Sequence, residues 1–353
     1  MTAPALRFRP MRPDAADLER MHRVFADHGG KRSLRSFEWQ YLRNPAGALY
    51  VDLAEDETTG ALASVYASLP QLLRVGGRVG LALQSLDTLT AEAYRGRGLF
   101  PKLAKSLYSR AAADGASLVF GFPNGNSAPG FFSRLEWTSL DPVPFLVRPM
   151  RTSYIARRLP LGPLSAKVPD VALPAPAPSL DAGEDIRVLR AFDSEVDDLW
   201  WSVAGVDTVA VERNAAYLNW RFVDKPDEQY LIHGLYDGGG LQGVVVSCTK
   251  EKHGGRVAYI LELLYRPGRA DVGRALLRTA LRCAALARAD LALAWCFDHS
   301  PTRAAFRSTG FFTLPERLRP IELHVGAHAF RPTELPVGNR RSWYLSYADS
   351  DTV

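Results

Sequence analysis

Arg95-Gly96-Arg97-Gly98-Leu99-Phe100 sets two glycines and two permanent cations at a point where the chain must turn. Glycine permits turns in which successive N–H groups converge, and converging N–H groups bind phosphate. The guanidinium groups of Arg95 and Arg97 add charge and fork-shaped donors suited to the same anion. Taken alone, the hexapeptide reads equally well as a basic turn. Upstream, Asp87 lies eight residues before Arg95, and a carboxylate is a common group for taking a proton from an amine. An aspartate at a strand end also caps turns or pairs with arginine, so both readings of Asp87 stand. Gln84 and Ser85 on the same strand offer groups to position water or a substrate.

These residues need elements to hold them. Leu81 to Thr90 reads as a strand. Leu99 to Ala113 carries apolar residues at 99, 100, 103, 104, 107, 108 and 111, the spacing of an amphipathic helix. Pro101 falls in its first turn, where a missing N–H costs nothing. The glycines therefore sit at a strand-to-helix junction, where the helix N-terminus favours an anion.

The chain has 353 residues, enough for two domains. With 47% hydrophobic and 23% charged residues, its composition is that of a globular protein. A formal charge of +5 suits a polyanionic small molecule, and no long lysine/arginine run of the nucleic-acid-tracking kind occurs. Cys248, Cys283 and Cys296 are odd in number and widely spaced, which predicts buried free thiols rather than disulfides. The histidines and cysteines lack metal-ligand spacing, so no metal is expected. No apolar run approaches a membrane span, and Met1 to Pro13 lacks an apolar signal core. The expectation is a cytoplasmic protein without membrane or nucleic-acid partners.

A proline- and alanine-rich stretch from about Pro169 to Gly183 reads as an extended linker. Before it, Arg151 to Leu161 reads as a short helix. The two sides repeat each other. Trp39 precedes Pro45 by six residues and Trp220 precedes Pro226 by six; Tyr50 precedes Gly60 by ten and Tyr230 precedes Gly240 by ten. Strands Tyr50–Ala54 and Ala61–Ala67 match Tyr230–Tyr236 and Leu241–Cys248. Helix Leu99–Ala113 matches Arg274–Ala289, strand Ser117–Phe122 matches Leu291–Phe297, and Phe131-Phe132 matches Ala305-Phe306. Their common order predicts a tandem duplication. Each half reads β-α-α-β-β-β-α-β-α-β, a mixed, mostly antiparallel α/β sheet flanked by helices. The expected boundaries are 1–150, a connecting segment 151–184, and 185–353.

That order, with Tyr94-Arg95-Gly96-Arg97-Gly98-Leu99-Phe100 between the fourth strand and the third helix, resembles the GNAT acyltransferase superfamily. Gly121-Phe122-Pro123-Asn124 with Ser127, Arg134-Leu135-Glu136-Trp137, Tyr217-Leu218-Asn219-Trp220-Arg221-Phe222 and Tyr347-Ala348-Asp349-Ser350-Asp351 extend the likeness to tandem-GNAT N-acyltransferases, some of which acylate nucleotide-linked amino sugars. The resemblance implies acetyl-CoA or another acyl-CoA as co-substrate, lying in a V between the fourth and fifth strands. Its pantetheine would meet the main chain of Thr88, Leu89 and Thr90, and its pyrophosphate the loop from Arg95 through Gly96, Arg97, Gly98 and Leu99 to Phe100, with Asn124 nearby. Asp87 is the implied candidate for the base that frees a small amine acceptor for direct attack.

Two departures bear on this. The sixth loop position is Phe100 rather than glycine or alanine, which predicts a reshaped loop surface. Phe132 stands where family members often carry the tyrosine that protonates the leaving thiolate. In the second half the loop is Arg266-Pro267-Gly268-Arg269-Ala270-Asp271-Val272-Gly273, where a proline removes a donor and Asp271 adds negative charge; this predicts a copy that supports the first half and walls the acceptor pocket. Glu262 is aligned there with Asp87. Two other readings remain: a non-catalytic CoA or metabolite sensor or resistance protein, and an aminoacyl transferase of cell-wall synthesis. His299 beside Asp298 reads as a loop pair or a cleft residue, and His22 and His28 as surface residues. Trp39, Tyr41, Trp220 and Phe222 read as core, and one of Trp200-Trp201 must point away from it. Arg32, Arg35 and Arg43 read as a solvated face or an acceptor-phosphate site.

Overall fold

The computed structural model describes residues 5–156, 167–205, 208–319 and 321–350. The first-half strands are β1 (Leu6–Pro10), β2 (Tyr50–Asp56), β3 (Leu62–Val75), β4 (Arg78–Thr90), β5 (Leu118–Gly121), β6 (Thr138–Ser139) and β7 (Phe145–Pro149). With them go helices α1 (Ala15–Asp27), α2 (Leu34–Leu42), α3 (Leu99–Ala113) and α4 (Ala128–Arg134). After α5 (Thr152–Ala156) the second half adds β8 (Asp185–Val188), α6 (Ser194–Val203), β9 (Val209–Val211), α7 (Ala215–Leu218), β10 (Leu231–Asp237), β11 (Gly240–Lys252) and β12 (Gly255–Tyr265). It ends with α8 (Ala270–Leu286), β13 (Leu291–Trp295), α9 (Arg303–Ser308), β14 (Phe312–Thr313) and β15 (Gly326–Ala329). The duplicated element order holds, with β9 and a second closing strand in each half (β7 and β15) as additions.

The strands form two sheets, ordered β1-β2-β3-β4-β5-β15-β6 and β14-β7-β13-β12-β11-β10-β8, with β9 on the far part of β3. Both are antiparallel except for the β4–β5 and β12–β13 pairs. The sheets exchange strands. β7, from the first half, pairs with β13 and β14, and β15, from the second, pairs with β5 and β6. Sheet membership therefore does not follow the expected boundaries at 150 and 185. The reason is physical: Phe145, Leu146 and Val147 are buried and carry the same apolar signal whichever sheet receives them. Of the expected linker and helix, residues 157–166 lie outside the described residues; beyond them Val171 and Leu173 hydrogen-bond back to Thr152 and Met150.

Each helix face explains where the core lies. α3 buries Leu99, Leu103, Ala104, Leu107, Tyr108 and Ala111 against Leu83 and Val119 on one face of the first sheet. α1 and α2 cover the other face, where Phe37 and Tyr41 meet Val51, Leu53 and Val65. A third cluster runs across both halves. At its centre the duplicated tryptophans meet: Trp39 and Trp220 stack with centroids 4.5 Å apart. Each indole N–H donates to the other's carbonyl, at 2.8 and 3.1 Å. The repeat seen in sequence is thus a pseudo-twofold contact in space. Trp200 is buried and Trp201 is 71% exposed, as their adjacency requires, with Arg74 stacked over the Trp201 ring. All three cysteines are free thiols, and burial pushes Cys248 and Cys296 up to about 11.

Candidate functional site

The glycine loop is built for main-chain donation. Gly96 and Gly98 take φ of +77° and +70°, and Gly98 caps α3 in the left-handed conformation. These are angles that glycine adopts without strain. Among the described residues, no protein acceptor meets the N–H groups from Gly96 through Phe100; the first bond of the helix runs from Lys102 N–H to the Gly98 carbonyl. Arg95, Gly96, Arg97 and Gly98 are exposed. The loop is anchored from below by the Tyr94 hydroxyl, which donates to Asp56 Oδ2 at 2.6 Å. The expectation of a reshaped loop surface is not met. The Phe100 ring turns inward, 5.0 Å from Phe131 and 5.7 Å from Tyr66. Gly130 leaves the room for it, since a Cβ there would lie 2.5 Å from the ring.

β4 and β5 pair only through Leu83, Gln84 and Ser85 opposite Val119, Phe120 and Gly121. Beyond that point β4 runs on to Thr90 with β3 on one side, so the main chain of Leu86 through Thr90 borders a gap. Beneath the gap, buried Tyr66 bonds Ser85 and Tyr108, and the Trp137 indole donates to Tyr108. Burial pushes the Tyr66 phenol up to about 12 and Tyr108 well above its ordinary range, so both stay neutral donors. Asn124 begins the turn into α4; its Oδ1 accepts from the Asn126 and Ser127 amides.

Asp87 occupies a bulge, with a φ of +38°, where β3 steps from Tyr66 opposite Thr88 to Ala67 opposite Leu86. The bulge lets both Leu86 and Asp87 face α2. Asp87 Oδ2 accepts from Arg32 at 2.6 Å, Gln40 at 3.0 Å and Tyr41 at 2.5 Å. Desolvation, with the Asp87 charge beside it, holds the Tyr41 phenol well above its usual range. In the second half the equivalent bulge falls between Glu262 opposite Val246 and Ile260 opposite Ser247. Leu261, not Glu262, is therefore level with Asp87, which corrects the sequence alignment by one residue. The ion pair is nonetheless duplicated. The spacing that relates Trp39 to Trp220 relates Arg32 to Arg213, and Arg213 bonds Glu262 at 2.8 Å and Asp349 at 2.6 Å with no exposure on any of the three.

On the α2 face, between the halves, lies a cavity of about 540 Å³. Gln84 and Leu86 of β4 form one wall, Trp39 and Trp220 another, and Ala348 and Ser350 a third. Of the three arginines singled out in sequence, Arg32 lines it. Arg43 is an exposed partner of Glu38, and Arg35 is exposed away from the cavity. Lys225, Lys250 and Lys252 of the opposite wall were not singled out, because no local spacing joins them to Arg32. His299 lines a smaller cavity of about 150 Å³ in the second half and bonds the Trp343 carbonyl, not the cleft between the halves. His22 bonds the Arg32 carbonyl and His28 that of Val24.

Residues 14–140 match the acetyltransferase (GNAT) domain family. This part of the chain is similar to a GNAT domain. The match takes in α1, α2, the β4 bulge, the glycine loop and α4. Over nearly the whole chain the fold is similar to Saccharomyces cerevisiae N-myristoyltransferase with bound myristoyl-CoA, at 13% identity over 94% of this chain and 80% of that one, with a TM-score of 0.61. It is also similar to a probable N-acyltransferase from Enterococcus faecalis V583, at 12% identity over 92% and 72%, with a TM-score of 0.62. At these identities the likeness is one of fold alone. No curated protein sequence matches the chain. Among the described residues, no helix is long and apolar enough to cross a membrane.

The second unit differs from the first where the loop would be. Arg269, at the start of α8, is bound by Asp271, Asp237 and Glu184. The helix terminus that binds phosphate in other settings is thus closed over by carboxylates, one of them from the connecting segment. Phe132 in α4 stacks edge-on with His324 and fills the space beside Gly326, so it offers no proton there.

Proposed function

We propose that the chain is an acyl-CoA-dependent N-acyltransferase that passes an acetyl or longer acyl group directly to a small amine, amino sugars included, with both substrates bound at once. One observation carries this reading: β4 leaves β5 beyond Ser85 and Gly121, with the amide-rich loop serving one face of the sheet and the cavity opening on the other. A thioester laid in the gap would meet an amine from the cavity without either crossing the sheet. Gly96 through Phe100, with Arg95 and Arg97, hold the pyrophosphate; the main chain of Thr88, Leu89 and Thr90 lines the pantetheine, and Asn124 marks the far side. The amine nitrogen bonds the thioester carbonyl carbon, the carbon–sulfur bond breaks to release the CoA thiolate, and the proton lost by the amine passes through water to that sulfur, giving the free thiol. Asp87 is assigned to positioning. Its Oδ2 already serves three donors, and Arg32 and Gln40, not Asp87, form the cavity wall. The second unit supplies the opposite wall and no second coenzyme site.

Calorimetric titration of acetyl-CoA into the parent protein and Gly98→Asp tests the reading. The variant strains a left-handed position and puts a carboxylate against the phosphates, in otherwise open space. The expected outcome is binding by the parent and at least about tenfold weaker binding by the variant, a loss of about 1.4 kcal/mol. Equal binding, or none by the parent, overturns it. Phe132 in place of a proton donor favours a second reading, a coenzyme sensor; release of free thiol from acetyl-CoA with any of a panel of amines rejects that alternative.

A further inference from the structure

The closed end of the β4–β5 gap is filled by side chains that hold one another. Ser85 and Gly121 are the last pair that joins the two strands. A Cβ on Gly121 would lie 2.9 Å from the Ser85 carbonyl oxygen and 3.3 Å from Cη2 of Trp137, so the Trp137 ring rests on the apex. From there a chain of hydrogen bonds runs under β4. The Trp137 indole donates to the Tyr108 hydroxyl at 3.2 Å. Tyr108 and Tyr66 share a bond of 2.7 Å, and Tyr66 and Ser85 one of 2.9 Å. Phe131 packs 4.6 Å from Trp137 and 5.0 Å from Phe100, on the side toward α4. Tyr66, Tyr108, Phe131 and Trp137 are all buried. Rings packed in this way do not make room as a flexible, methionine-lined pocket does, and parting them would leave buried hydroxyls without partners.

A thioester laid along Thr90, Leu89 and Thr88 brings its carbonyl to Leu86 and Asp87, and the group beyond that carbonyl meets Ser85, Gly121 and Trp137. We propose that Trp137, with the Tyr66–Tyr108 pair behind it, sets an upper limit on the donor's acyl group, admitting an acetyl or propionyl group and no longer chain. The placement of the thioester rests on the acyltransferase reading above, whereas the filled apex stands on the packing alone. On the other face of the sheet, a long tail would occupy the cavity through which the acceptor arrives and would exclude the amine.

Acetyl-CoA and hexanoyl-CoA are titrated calorimetrically into the parent protein, Trp137→Ala and Trp137→Leu. Each methylene buried in an apolar site strengthens binding about fourfold, so an open acyl pocket would show as a large preference for hexanoyl-CoA. The parent is expected to bind hexanoyl-CoA no more than about threefold more tightly than acetyl-CoA. Emptying the Trp137 site leaves an apolar void of the kind that takes apolar ligands. The ratio of the two affinities should therefore move toward hexanoyl-CoA by about fivefold or more in Trp137→Ala. Because the ratio is taken within one protein, a variant that still binds acetyl-CoA reports on the acyl site and not on folding. Trp137→Leu, a smaller excavation, takes its place if the alanine variant does not fold, with an expected move of about twofold or more. A stronger preference for hexanoyl-CoA in the parent, or a smaller move of the ratio in the variant, overturns the proposal and leaves the acyltransferase reading in place. Binding of neither thioester by the parent overturns both.

Discussion

Asp87→Asn separates a proton acceptor from a positioning group. Asparagine tolerates the positive φ of the bulge, so the backbone is preserved. Its amide oxygen still accepts from Tyr41 and Gln40. What is lost is the negative charge of Asp87 facing Arg32, whose bond of 2.6 Å is charge-assisted. Such a bond contributes about 1.5–3 kcal/mol when shielded, but the Arg32 side chain is 35% exposed. Solvent screening brings the loss to about 1 kcal/mol. Two consequences follow from that figure. Thermal unfolding falls by about 2–4 °C. The acceptor KM rises about fivefold as Arg32 loses its fixed position on the cavity wall, while kcat drops less than about tenfold. A general base behaves otherwise, since its removal costs about 10²–10⁴ in rate. Steady-state kinetics by thiol release, with acceptor varied at saturating acetyl-CoA, reads both constants. A hundredfold fall in kcat with an unchanged acceptor KM would refute the positioning argument and restore Asp87 as the base.

Three further outcomes follow from the packing. Trp39→Ala removes the stacked partner of Trp220 and one of two reciprocal indole bonds, at a cost of about 3–5 kcal/mol; a loss under 1 kcal/mol in denaturant unfolding would mean the halves do not meet there. Arg213→Met leaves Glu262 and Asp349 buried without their cation, which costs about 3–5 kcal/mol, and adding Glu262→Gln and Asp349→Asn should recover part of it. Arg9 and Arg12 hold the buried Asp17 carboxyl well below the usual carboxylate range. Its folded-state pKa is depressed, so its contribution is complete above an ordinary carboxylate pKa of about 4 and is lost as pH falls below that. Asp17→Asn should therefore lower stability at neutral pH and flatten the acid limb of a pH–stability curve, and an unchanged acid limb would count against the pair.

What was legible in sequence was what local rules control. Helix α3 ran from Leu99 to Ala113 as its periodicity required, because a left-handed glycine before it and an apolar stripe along it leave one register. The tandem repeat was legible because Trp39 and Trp220 answer to the same contact. Three features were not. The exchange of β7 and β15 leaves each strand as apolar as it would be at home. The offset between Asp87 and Glu262 comes from the exact residue at which a strand bulges, which sequence spacing does not encode. The cavity draws Lys31 from before α2, Lys225 from the turn after Phe222, and Lys250 and Lys252 from β11. No motif joins such positions.

The duplicated ion pair shows how two copies of one unit came to divide their work. In the first half, Arg32 and Asp87 keep 35% and 11% exposure beside the cavity. In the second, Arg213 and Glu262 are sealed, and their remaining bonding capacity is met by Tyr344, Ser346 and Asp349. A buried pair repays its desolvation only when such extra bonds are present. The second copy thus spends the motif on structure, and the first keeps it next to a ligand space. The loops diverge in parallel, since one leaves its amides without protein acceptors among the described residues while the other is closed by Asp271, Asp237 and Glu184. Strand exchange then fixes the division. β5 has β15 of the second half along its edge, and β13 has β7 of the first, so neither unit alone completes its sheet or the cavity wall. If the proposed transferase site is composite in this way, one glycine loop suffices for the duplicated fold, and removing either unit should abolish binding at the other's cavity wall.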